Sequence, residues 1–186
     1  MTAFFDKAEN RVAFLTSLAS MDREEEAMTL CLAYIDRFAQ CLCWPSTSTG
    51  RNFVCALMQF GQEPLMAMAH PLQAARALVA AKPQCKALAE RIGSAFPGPP
   101  YEVLPIPDFE HALAKHVTPD ELARLKPYLW QGTIANVVYQ HLRTPAIHRF
   151  GTGAGIILSQ TTYNGQPVSN LGLVELSACL RGLRGW

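Results

Sequence analysis

Charge of one sign is what this sequence has least of. Sixteen Lys and Arg stand against fifteen Asp and Glu, a formal net charge of +1. No broad basic face is therefore expected to hold duplex nucleic acid by releasing its counterions, although a local site on RNA stays open. CxxC pairs are missing too. Cys31, Cys41, Cys43, Cys55, Cys85 and Cys179 are spaced without one, most of them inside apolar helical patterns where a thiol behaves as a small hydrophobe. They read as reduced core thiols. Nowhere do about eighteen apolar residues follow one another without a charge, which excludes a helical membrane span. The opening MTAFFDKAENR, with Asp6 and Glu9, has no apolar centre of the kind a signal peptide carries. A cytoplasmic location is expected.

What remains is a sequence with 49% apolar and 17% charged residues over 186 positions, enough to bury a sizeable core in one domain spanning 1–186. Helical patterns dominate it. In MDREEEAMTLCLAYIDRFAQCLCW, Asp22 is placed to cap a helix, Glu25 takes the capping-box position, and Glu24 and Glu26 favour the positive end of the helix dipole. Leu30, Cys31, Tyr34, Ile35, Phe38, Ala39 and Leu42 then repeat at three-to-four spacing and predict a wide buried face. Shorter helices are predicted over Lys7–Ala19, in RNFVCALMQF closed by Gly61, in HPLQAARALVAAK with Pro71 at the first turn, and in CKALAERIG.

FPGPPYEVLPIP, residues 96–107, carries five prolines and predicts neither a regular helix nor a central strand, so it reads as a long surface loop within the domain. TPDEL then repeats the start signal, with Thr118 as cap and Glu121 at the capping-box position. Pro127 should kink or restart that helix. Trp130, Ile134, Val137, Val138, His141 and Leu142 form a further apolar stripe that predicts a second long helix. Residues 154–186 read as an extension: IILSQTTYNGQPV, with its Asn-Gly, predicts a β-hairpin over 156–168, and LGLVELSACLRGL predicts a closing helix. The expected fold class is mainly α, a helical bundle with a small β-hairpin near the C-terminus.

The stripe ends in YQHLRTPAIH, where Arg143 and His148 stand with four residues between them beside a bend expected at Thr144-Pro145. Histidine titrates near neutrality and can take a proton from a ribose 2′-hydroxyl or give one to a leaving 5′-oxygen. Arginine keeps its charge and offers a planar fork of donors to phosphate oxygens. No metal is needed for such a cleavage, and no cofactor is expected. On an ideal α-helix residues five apart point about 140° away from each other, so the two would share a site only through the bend or through a second copy of the chain. The bland reading is that Arg143 meets the carbonyls of a helix C-terminus while His148 packs on the next turn.

Tyr139, Leu142, Arg143 and His148, with the long helix from Asp22 to Cys43, resemble the HEPN superfamily (higher eukaryotes and prokaryotes nucleotide-binding), helical bundles with Arg-x4-6-His in a late helix. The resemblance covers about a third of the chain. Thr144 and Pro145 depart from the asparagine, aspartate or histidine that often follows the arginine in that family. The resemblance implies a metal-independent endoribonuclease, a homodimer with a composite cleft, and a place in toxin-antitoxin or phage-defence systems with a cognate antitoxin. Arg143 and His148 would be catalytic, and Tyr139, His141, Arg149 and Arg51 would hold RNA. The alternative is a non-catalytic helical module that binds a protein or nucleotide.

Other groupings carry less. His111 and His116 are five apart, not the four that align two metal ligands on one helix face. GTGAG, residues 151–155, lacks the lysine and preceding strand of a phosphate loop and reads as a turn. His70, just before Pro71, is expected to end a loop.

Overall fold

The computed structural model describes residues 2–41, 48–61, 64–144 and 161–168, with Leu176 and Cys179. The chain is mainly helical with short strands, and it divides into two compact units. The first comprises Met1–Glu63, Tyr139–Thr152 and Asn170–Trp186; the second comprises Pro64–Val138 and Gly153–Ser169.

In the first unit α1 (Thr2–Ala19), α2 (Glu24–Cys41) and α3 (Thr49–Phe60) pack in sequence. Asp22 does not cap α2 as its side chain suggests. It lies in the left-handed region at φ 58, and the Arg23 and Asp22 amides donate to the Leu18 and Ala19 carbonyls, both at 3.2 Å. Asp22 therefore closes α1, a place its short polar side chain tolerates, and α2 starts after Arg23, whose carbonyl accepts from the Ala27 amide. The three glutamates of the first turn still meet the helix dipole. Leu15, Leu32, Ile35, Phe53 and Leu57 fill the core. Each contributes roughly 1.5–3 kcal/mol by leaving water.

The second unit holds α4 (Pro71–Ala81), α5 (Lys86–Ala95), α6 (Ile106–Leu113), α7 (Pro119–Leu125) and α8 (Ile134–Val138). Its core gathers Leu78, Leu88, Ile92, Phe109, Leu113, Leu125 and Leu129, with Phe96 tilted on Phe109 at 4.9 Å. The capping box at α7 is present as the sequence predicts: the Thr118 hydroxyl accepts from the Glu121 amide and the Glu121 carboxylate accepts from the Thr118 amide.

The proline-rich stretch is woven into sheets. Tyr101–Glu102 (β2) runs parallel to Thr161–Tyr163 (β4), and Leu104–Pro105 (β3) pairs antiparallel with Met68–Ala69 (β1), with Val103 buried between them. The prolines permit this because, of those in this stretch, only Pro105 lies in a strand, and β3 is a two-residue edge strand of a two-stranded sheet. The Asn-Gly signal holds for the described part of 156–168: β4 turns through Asn164 (φ 51) and Gly165 (φ 72) into Gln166–Pro167 (β5), the positive pair that a tight hairpin turn requires.

The stripe from Trp130 to Leu142 is not one helix. After Leu125 the chain tightens into a 3-10 helix, Lys126–Gly132, and Thr133 then breaks it. The Thr133 hydroxyl donates to the Trp130 carbonyl at 2.7 Å and accepts from the Asn136 amide at 3.3 Å, which ends one helix and caps α8. Beyond Val138 the winding loosens into a π-helical turn, Tyr139–Arg143.

Candidate functional site

The site belongs to the first unit and begins with the π turn. A π turn bonds residues five apart, is rare, and occurs often where function needs a side chain re-aimed. Here the Thr144 hydroxyl donates to the Tyr139 carbonyl at 2.9 Å, five residues back. The turn delivers Arg143 to α2, where its Nη2 donates to Asp36 Oδ2 at 2.5 Å. The two side chains are only 13% and 12% exposed. The guanidinium carbon also lies 5.3 Å from the centre of the Tyr139 ring, within cation-π range.

Tyr139 is placed by α3. Its ring tilts on Phe53 at 5.5 Å and covers Gly50, where a Cβ would come within 2.8 Å of ring atoms. A side chain there would force the tyrosine ring to shift. α3 itself is fixed at its start by Ser48, whose hydroxyl accepts from the Arg51 amide at 3.5 Å.

The ion pair is single-pronged. Asp36 Oδ1, Arg143 Nε and, on α3, Asn52 Oδ1 are buried and have no hydrogen-bond partner among the described residues. An arginine and a carboxylate can make two parallel bonds, and this pair makes one. Removing a carboxylate and a guanidinium from water costs several kcal/mol each, which a single bond offsets poorly. The arrangement orients Arg143 and keeps one further donor of its fork uncommitted.

Of the residues singled out in the sequence, the structure brings Arg143 and Tyr139 into direct contact. His141 lies half-buried in the same π turn, and Arg51 is exposed in the first turn of α3, next to the glycine that Tyr139 covers. His148, Arg149 and GTGAG lie outside the described residues. Asp36 and Asn52 were not singled out, yet Asp36 carries a readable signal. It sits four after Leu32 and three before Ala39 on the buried side of α2, a register where an acid needs a partner.

Of the described cysteines Cys31 and Cys179 are core thiols and Cys55 and Cys85 are half-buried; Cys43 lies outside the described residues. Burial pushes the Cys31 thiol up to about 12 and raises Cys179, whose sulfur lies 3.7 Å from the Ala56 carbonyl. Cys41 differs from the core-thiol expectation, being exposed as the last residue of α2. Glu110 pairs with Lys126 at 2.8 Å. No group of three potential metal ligands converges among the described residues. No helix among the described residues is long and apolar enough to cross a membrane.

Compared with models of protein families, with curated proteins and with solved structures, the chain matches none.

Proposed function

We propose that this protein is a metal-independent endoribonuclease of the HEPN type, acting in the cytoplasm as a homodimer. In it Arg143 stabilises the phosphate in the transition state and His148 moves the proton between the ribose 2′-hydroxyl and the leaving 5′-oxygen. The observation that carries the reading is the oriented Arg143: a guanidinium held by Asp36 and Tyr139, its Nε unpartnered, on a π turn. A pre-set cation costs little reorganisation when charge develops on phosphorus oxygens. Pairing of two chains about a twofold axis would bring two such motifs to one cleft.

One observation favours a second reading, a non-catalytic helical module: Asp36 neutralises Arg143 in a nearly closed setting. The two separate on labelled RNA incubated with chelator. The nuclease reading expects cleavage that requires the 2′-hydroxyl and falls by about 100-fold or more in His148→Ala. It also expects expression of the wild type, and not of His148→Ala, to arrest growth. Inert preparations, or a His148→Ala variant as active as wild type, favour the module.

A further inference from the structure

On the second unit a groove of about 410 Å3 runs between α4 and α5. Its walls are Ala75, Arg76, Val79 and Ala80 on α4 and Lys86, Ala89 and Glu90 on α5. The floor is alanine and valine, short enough for another backbone to come close; Ala75 and Ala89 are the buried margin of the core that Leu78, Leu88 and Ile92 fill, and Val79 packs against it. Charge is confined to the rim. Lys86 and Glu90 pair loosely at 3.9 Å and both are strongly exposed, so their attraction is worth little. Among the described residues no carboxylate pairs with Arg76.

We propose that this groove docks an amphipathic helix of a partner protein, its aliphatic stripe on the alanine-valine floor and a carboxylate on its flank facing Arg76. Both walls are helical and offer no strand edge, so a helix fits as a third ridge where an extended peptide would leave its backbone unpaired. The rim sets the sign of the partner, with two cations, Arg76 and Lys86, against one carboxylate, Glu90. The inference is independent of RNA cleavage.

The test uses the full chain and a displayed library of amphipathic helical peptides with aliphatic stripes and flanks varied among Glu, Gln and Lys. Glutamate-flanked peptides are expected to be enriched. A synthetic one should lose roughly tenfold in affinity on Arg76→Glu and recover it when its glutamates are changed to lysine. Ala80→Arg, an exposed change that fills the groove, should abolish binding while circular dichroism stays that of the wild type. No enrichment, enrichment of neutral or basic flanks, or binding indifferent to Ala80→Arg overturns the proposal. So does self-association that Ala80→Arg removes, which would assign the groove to a second copy.

Discussion

In the first unit an aspartate and an arginine meet almost out of water, joined by one bond, with Asp36 Oδ1 and Arg143 Nε of the pair itself left without a hydrogen-bond partner among the described residues. In the second, Arg91–Glu121 and Lys126–Glu110 sit at the surface, and Glu121 also completes a helix cap. The second arrangement spends little on desolvation and steadies a helix end. The first is a poor way to stabilise a fold, since apolar side chains of the same volume usually do as well or better. That contrast makes the Asp36–Arg143 pair the arrangement that gives the fold least for the desolvation it costs.

The largest effect should come from breaking the buried pair on one side. Asp36→Ala leaves a buried guanidinium alone and should cost about 3–5 kcal/mol in urea unfolding, whereas Arg91→Ala in the second unit should cost about 1 kcal/mol or less. If the pair serves function, the double change Asp36→Leu with Arg143→Met should regain most of that stability while abolishing cleavage. Equal costs for Asp36→Ala and Arg91→Ala would erase the contrast.

Among its described residues the second unit has one buried ionisable group, and it answers to pH. His70 is 1% exposed at the start of α4, its ring against Tyr101 at 5.2 Å, and burial lowers its pKa to about 4. The folded state thus binds fewer protons than the unfolded one between about 4 and 6.5. Its stability is complete above 6.5 and declines as pH falls, by about 3 kcal/mol at the lower end. Unfolding midpoints at pH 7 and pH 4.5 should differ markedly in wild type and much less in His70→Leu.

Smaller effects follow in the same unit. Gly165→Ala places a side chain at φ 72 and should cost about 1–2 kcal/mol. Thr118→Ala removes a cap worth about 1 kcal/mol. Arg91 and the cap hold Glu121 at about 2, so its contribution is present above 4.5 and lost as pH falls from there toward 2. Glu121→Gln should flatten unfolding midpoints across that acidic window.

The sequence displayed what depends on neighbours along the chain. Thr118 with Glu121, Pro71 at a helix start, and Asn164-Gly165 declare themselves through a few adjacent residues, and all three stand as read. What depended on distant partners stayed hidden. Nothing local tells that Tyr101–Glu102 would find Thr161–Thr162, or that Asp22 would close one helix instead of opening the next. At the site, Arg143 and Tyr139 were legible from the late stripe. Asp36 lies 107 residues from Arg143, and the π turn that joins them has no sequence signal of its own.

The most direct test follows the Nε–H resonance of Arg143 while a 2′-O-methyl RNA oligonucleotide, bound but not cleaved, is titrated into the full chain. An Arg143 that faces phosphate will show that resonance moving in step with binding, and Asp36→Asn will weaken both. A resonance that stays fixed throughout the titration would contradict the assignment of Arg143 to RNA and leave the pair with Asp36 as internal structure alone.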